Sequence, residues 1–318
     1  MSLSIFIDKY KKQFKALSPN FDRCLEHSDN EPIAFIDSEN IKLSFVAIAD
    51  THLINKSGAT ENLNNFFVDI SKSENKIDAV IMAGDIAEYG TKSQYKRFFD
   101  VFDKYNNDFK IFLTMGNHDA RIKYRRNQKI IMKKVDEYLG INTNGKSFYS
   151  YDVNGYTFIV LCTEKRVLEK AYISPEQIDF LDRELARGEK SNKPVFVICH
   201  QAFAETHGLP EVWKTGDMGE QSNLVRAVME KHKNVFFING HLHGGIFEKT
   251  FEVLNEKNNV FSLSIPGYRK ENNFGITDCG VGYLCEVYGD KAVFTARNFA
   301  VGKNISGDYT SFEIPLSA

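Results

Sequence analysis

Lys110-Ile111-Phe112-Leu113-Thr114-Met115-Gly116-Asn117-His118-Asp119 is the stretch that decides the fold. An apolar run rich in β-branched and aromatic side chains stops at glycine, the pattern of a buried strand ending in a tight turn. An amide, an imidazole and a carboxylate then follow one another at the strand's C-terminal end. Taken alone, Asn, His and Asp beside Gly do no more than shape a turn.

Four further stretches repeat the arrangement. Leu43 to Ala49 ends in Asp50-Thr51-His52, and Ala79 to Ala83 ends in Gly84-Asp85. Val195 to Cys199 ends in His200, and Val235 to Ile238 ends in Asn239-Gly240-His241-Leu242-His243. Five of the eight histidines therefore sit just past a strand-like run. In an open α/β sheet, ligand and metal sites collect outside the carboxyl ends of the strands. The shared position argues for one site rather than five unrelated turns.

The rest of the chain frames that site. At 318 residues it is one large or two ordinary domains, and 42% hydrophobic with 26% charged residues is the composition of a soluble globular protein. The net charge of −2, without a long basic block, gives no electrostatic reason to expect nucleic acid or an acidic membrane as partner. Met1 to Tyr10 lacks the basic start and unbroken apolar stretch of a signal peptide, and no run reaches membrane-spanning length. The five cysteines form no C-x-x-C pair, which suits buried thiols in a reducing, cytoplasmic setting. Cys199 adjoins His200, but alternation along a strand turns it to the opposite face, into the core.

Residues 1–40 read as an N-terminal extension packing on the core, with Ile5 to Leu17 as an amphipathic helix. Residues 41–318 read as one domain with a β-rich C-terminal part. A helix follows Thr60, burying Leu63, Phe66, Phe67 and Ile70, and another spans Ser93 to Tyr105, where Tyr95, Phe98, Phe99 and Phe102 form a core stripe. Arg121 to Tyr138 is predicted helical, and Asn154-Gly155 signals a hairpin. Ser174-Pro175-Glu176-Gln177 opens a helix, with Gln177 completing a capping box. Between His200 and a helix at about Asn223 to His232 lies a long loop with Phe203, His207 and Trp213, of a length that is often functional. Strand-like runs at Ile246 to Val253, Val260 to Ile265, Tyr283 to Val287 and Ala292 to Arg297 fill the last third.

Asp, His and Asn together supply hard oxygen and borderline imidazole donors, a set for Mn²⁺, Fe or Zn²⁺ rather than a thiolate zinc site. The candidates at the strand ends suffice for two ions roughly 3.5–4 Å apart, the clamp used in phosphoryl-transfer hydrolysis. Asp50-x-His52, Gly84-Asp85, Gly116-Asn117-His118-Asp119, His200 and Gly240-His241-x-His243 resemble, in order and approximate spacing, the five blocks of the calcineurin-like metallophosphoesterases. The resemblance implies an α/β fold, a four-layer αββα sandwich of two mixed β-sheets flanked by helices. It implies that Asp50, His52 and His243 hold one metal and Asn117, His200 and His241 the other, with Asp85 bridging. It further implies hydrolysis by a hydroxide held between the two ions. His118 would stabilise the phosphoryl oxygens and protonate the leaving group, with Asp119 orienting its imidazole.

Departures from the pattern narrow the branch. Protein phosphatases of the family carry an arginine soon after the bridging Asp, whereas Asp85 precedes Ile86-Ala87-Glu88. Purple acid phosphatases place a tyrosine ligand where this chain has Glu88. Gly116 to Asp119 followed by Ala120-Arg121 is similar to the bacterial phosphodiesterase branch, which makes Arg121 a candidate phosphate contact. The expected activity is metal-dependent hydrolysis of a small-molecule phosphate ester, a diester in preference to a monoester. The alternatives are a phosphomonoesterase of the same fold, a nuclease, and a non-catalytic scaffold.

Overall fold

The computed structural model describes residues 25–28, 31–55, 57–105, 109–269 and 279–317. The expected helix at Ile5 to Leu17 lies outside the described residues. The first three apolar runs form β1 (Leu43–Ile48), β2 (Ala79–Met82) and β3 (Lys110–Leu113), joined by helices α1 (Ser57–Ser71) and α2 (Lys92–Tyr105). Helices α3 (Asn117–Arg121) and α4 (Tyr124–Leu139) follow. Strands β4 (Tyr149–Val153) and β5 (Tyr156–Val160) are joined through Asn154 at φ 52° and Gly155 at φ 77°. Two successive positive φ values are what a two-residue type I′ turn requires. Helix α5 (Pro175–Glu189) then leads to β6 (Val195–Ile198), and α6 (Ser222–Met229) leads to β7 (Val235–Asn239). The chain continues through β8 (Phe251–Asn255), β9 (Val260–Ser264), β10 (Val281–Val287), β11 (Lys291–Asn298), β12 (Lys303–Asn304) and β13 (Ser311–Pro315).

These strands make two mixed sheets. One runs β12-β11-β10-β1-β2-β3 with β13 also on β11, and the other runs β4-β5-β6-β7-β9-β8. Within them β1, β2 and β3 are parallel, as are β5, β6, β7 and β9. Parallel strands covered on both faces read as continuous apolar runs, which explains their legibility in the sequence. Alternation divides their side chains cleanly. Phe158, Phe196 and Phe236 face the core between the sheets, while Ile159, Val197 and Phe237 face α5 and α6 through Leu181, Leu185, Val225 and Met229. Cys199 joins that outer cluster. Between the sheets, Phe45 of β1 meets Phe196 edge-on at 4.8 Å and Phe112 of β3 stacks on Phe158 at 4.5 Å. On the other side, α1 and α2 close over the first sheet through Phe67 and Phe102, and α4 packs on β3. The result is the αββα sandwich.

Three local expectations need correction. The run expected as a strand from Ile246 to Val253 first makes a turn, with Thr250 N–H donating to Phe247 O at 3.0 Å, and is strand only from Phe251. The helix from Arg121 is broken at Lys123, which adopts φ 57°. Buried Asn127 turns its amide back to the carbonyls of Asp119 and Ile122, both at 2.8 Å, and thereby fixes the break. Gln177 completes no capping box. Ser174 does accept from the Gln177 backbone, but the Gln177 side chain is buried against the backbone of Cys162, and Glu164 takes the Ser174 N–H.

Candidate metal centre

The ends of β1, β2, β3, β6 and β7 bring the residues that follow them into one region. Asp50, His52, Asp85, His241 and His243 all have positive φ, between 41° and 74°. Such a backbone costs a non-glycine residue on the order of 1–3 kcal/mol, and it persists where neighbours over-determine it. Here the neighbours are adjacent strand ends: Asp50 N–H donates to Gly84 O at 3.0 Å and His52 N–H to Asp85 O at 2.9 Å. Gly116, read from sequence as turn chemistry, is extended (φ −94°, ψ −175°) and directly precedes α3. Its glycine is a requirement for space, because an added Cβ would collide with the Asp85 carboxylate. Gly84 combines both needs: φ is +89° and the His200 side chain lies 2.5–2.8 Å from where a Cβ would be.

Among the described residues three groups of donors have ligand atoms within 4.8 Å of one another: His52 with Asp85 and His118, and two that share no member, Asp50 with His52 and His243, and Asp85 with His200 and His241. Asp85 touches both of these two, its Oδ2 lying 3.5 Å from His52 Nε2 and 3.3 Å from His200 Nε2. His200 donates from Nδ1 to Ala83 O at 2.8 Å, which turns its Nε2 toward Asn117 Oδ1 at 3.1 Å. His52 places Nδ1 2.8 Å from the Glu88 carboxylate and Nε2 3.0 Å from His243 Nε2. His243 Nε2 is also 3.0 Å from Asp50 Oδ1, and the buried His241 Nε2 makes no hydrogen bond among the described residues. Acceptors converge on acceptors here, an arrangement that only protons or cations satisfy. The hard-oxygen and imidazole set fits Mn²⁺, Fe or Zn²⁺.

Electrostatics give the same picture. Burial opposes charge on Asp50, yet His243 and His200 hold it well below the ordinary carboxylate range. Burial likewise raises Asp85, and His200 and His118 more than reverse it. Burial pushes His52 and His200 down, but the surrounding carboxylates raise both to about 9. Without a cation, protons on His52 and His200 offset carboxylate charge at the site, and metal binding competes with those protons. His118 differs. Burial lowers it to about 4, so it is neutral.

His118 packs edge-on against His52 at 4.5 Å and donates from Nδ1 to Glu88 O at 2.9 Å, while its backbone N–H donates to Asp85 Oδ1 at 2.8 Å. Asp119, expected to orient that imidazole, does not touch it. Its buried carboxylate accepts from Gly116 N, Ile86 N, Ala87 N and Tyr95 Oη at 2.8–3.2 Å. Asp119 therefore braces the ends of β2 and β3 and ties them to Tyr95 of α2. Arg121, expected at phosphate, pairs through Nη2 with Glu169 at 3.0 and 3.2 Å. In the long loop, Phe203 stacks on Phe237 at 4.3 Å and His207 is buried between Lys249 O and Ser262 Oγ, at 2.6 and 2.7 Å. Both are anchors. Trp213 alone of the three lies against a candidate ligand, 4.5 Å from the His241 ring.

Three charged residues at the site escaped the sequence reading. Glu88 joins His52 to buried Arg269, and Glu169 accepts from Asn117 Nδ2 at 2.6 Å. A signal existed for Arg269, which follows β9, one more parallel strand ending at the same edge. None existed for Glu169, whose loop carries no strand-end pattern.

Residues 43–245 match the calcineurin-like phosphoesterase family. A probable glycerophosphodiester phosphodiesterase of Arcobacter nitrofigilis is 24% identical over 164 residues, 49% of this chain and 55% of that protein. The chain thus spans about half the length of that curated relative. A dimetal phosphatase from Danio rerio superposes with a TM-score of 0.64 at 15% identity, covering 87% of this chain and 100% of that one, a likeness of fold. With its five motif blocks gathered at the same end of the two sheets and residues 43–245 matched, the chain belongs to the calcineurin-like phosphoesterase family.

Proposed function

We propose that the protein hydrolyses small-molecule phosphodiesters at a two-metal centre. Asp50, His52 and His243 would hold one ion, Asn117, His200 and His241 the other, and Asp85 would bridge. The observation that carries this reading is the Asp85 carboxylate, within 3.5 Å of a ring nitrogen in each group. When bound, such cations supply Lewis acidity and lower the pKa of water to about 7.

The chain's own residues orient and transfer protons. The Glu88 carboxylate lies 2.8 Å from His52 Nδ1 as a charge partner, which favours the proton on that nitrogen and leaves Nε2 toward the site. The Glu88 carbonyl does the same for His118, leaving Nε2 of the neutral ring as an acceptor. That nitrogen can deliver a proton to a leaving group only after gaining one, which an anionic phosphoryl group beside it favours. Trp213 covers His241 and excludes water from that side.

The preference for diesters rests on charge. A monoester dianion needs more cationic contacts than a diester monoanion, and Arg121 is already paired with Glu169. The loop after His200 adds Glu205, Glu211, Asp217 and Glu220 against Lys214. The Arcobacter relative's name, a diesterase, agrees, while the Danio protein is called a phosphatase. Comparing kcat/KM for bis-nitrophenyl and nitrophenyl phosphate on one metal-loaded preparation, from about pH 6 to pH 9, should favour the diester. Faster monoester turnover throughout would overturn the preference and leave the metal centre standing.

Among the described residues no helix is long and apolar enough to cross a membrane. The free, buried Cys162, Cys199 and Cys285 support a reducing, cytoplasmic location. The residues ahead of β1 would serve as a brace, since Ile33 enters the core and the Ile36 N–H donates to Glu286.

A further inference from the structure

We infer that Glu169 is a positioning residue that fixes which way round the Asn117 amide sits, and so determines whether the second metal can bind. The inference rests on the two-metal reading above. The oxygen and nitrogen of an asparagine amide have nearly the same shape, so only the hydrogen-bond network decides which of them faces the site. If Nδ2 faced inward, its N–H dipoles would repel a cation and Asn117 would be lost as a ligand.

Three contacts determine the orientation. An ionised carboxylate only accepts, and Glu169 Oε2 lies 2.6 Å from Asn117 Nδ2, so the opposite amide atom pointing at it would be acceptor against acceptor. This leaves Asn117 Oδ1 beside His200 Nε2 at 3.1 Å, inside the candidate site. Arg121 holds Glu169 in turn, donating from Nη2 to both carboxylate oxygens at 3.0 and 3.2 Å. Asn117 and Arg121 stand four positions apart, bracketing the short helix α3, and Glu169 closes the bracket from a loop 52 residues away from Asn117. Arg121 thereby has a role that needs no contact with phosphate: it keeps the Glu169 carboxylate in place.

Glu169→Gln is the informative change because a glutamine amide can donate as well as accept. It can pair with Asn117 in either orientation, so the choice is no longer enforced. Removing such outer partners of a ligand lowers metal affinity about 10–100-fold. The loss of a negative charge near the site would also weaken cation binding, and a double-mutant cycle separates the two effects. Asn117→Asp presents an oxygen whichever way the group turns. The orientation effect must vanish in that background, whereas a general charge effect must remain. In the Asn117→Asp single variant the introduced carboxylate would also repel Glu169, which makes the added Glu169→Gln favourable.

The test is calorimetric titration of metal-stripped protein with Mn²⁺, for the wild type, Glu169→Gln, Asn117→Asp and the double variant. Circular dichroism melts would verify that each is folded. The wild type should bind two ions. Glu169→Gln should retain the tighter step and weaken the other about 10–100-fold. Added to Asn117→Asp, the same substitution should cost nothing or improve binding. An equal loss in both backgrounds, or no loss in the single variant, would overturn the inference while leaving the metal centre intact. A wild type that binds fewer than two ions would remove both.

Discussion

Asp85 and His118 sit on opposite sides of the line between holding a metal and moving a proton. The Asp85 carboxylate reaches both imidazole groups and also accepts the His118 N–H. The His118 ring shares no hydrogen bond with the candidate ligands, and its Nδ1 is occupied by the Glu88 carbonyl. His118→Ala should therefore keep a full complement of metal and lose activity about 10²–10⁴-fold, the usual worth of general acid–base catalysis. The loss should be greater for alkoxide than for nitrophenoxide leaving groups, which parallel metal analysis and a leaving-group series would check. Equal losses would count against an acid role. The seven donors were legible because each follows an apolar run at the same strand end. Glu88 and Glu169 were not, since a carboxylate shows its purpose only through its partner. Glu88 finds Arg269 at a separation of 181 residues, and Glu169 finds Asn117 at 52.

At the level of elements, the site is built by strand ends approaching closer than side chains normally allow. The apolar runs announced the strands, and the helices came from their apolar stripes. What the sequence could not reveal was how close those ends come. Gly116 looked like a turn residue, yet its backbone is extended and its hydrogen atom faces the Asp85 carboxylate. Gly116→Ala should push Asp85 aside, lower bound metal in elemental analysis, and destabilise the fold by about 1–3 kcal/mol in denaturant unfolding, as overpacking usually does. Full metal content in that variant would show that the strand ends can spread. The break between α3 and α4 was equally hidden, because an amide on the following turn creates it. The loop after His200 was recognisable as long, but two of its three notable side chains turned out to hold it to the second sheet.

For the whole molecule, the charge balance of the centre couples metal, proton and stability. In the metal-stripped protein His52 and His200 keep their protons to about pH 9, whereas an unfolded histidine releases its proton near 6.5. The stability these two contribute is therefore fully present below pH 6.5 and is lost as pH rises through about 9. By about pH 7.5 unfolded histidines are largely neutral, so stripped protein should lose stability from there to pH 9. Over the same window the stabilisation gained by adding metal should grow, because the cation no longer competes with those protons. Melting curves with and without Mn²⁺ across that range would reveal both trends, and a flat stripped-protein profile would contradict them. The shared site was legible from five runs and their common polar ends, and the sandwich from the family resemblance those ends carry. The charge balance was not, because it depends on distances between residues such as Asp50 and His243, 193 positions apart.

The central claim is a centre for two ions that depends on one shared carboxylate. It is tested most directly by adding Mn²⁺ in measured equivalents to metal-stripped protein and to Asp85→Asn, and following hydrolysis of bis-nitrophenyl phosphate together with bound metal. The wild type should reach full activity only as a second equivalent binds, and Asp85→Asn should retain metal poorly and stay inactive over the same additions. Full activity at one equivalent, activity without metal, or two ions held tightly by Asp85→Asn would contradict it.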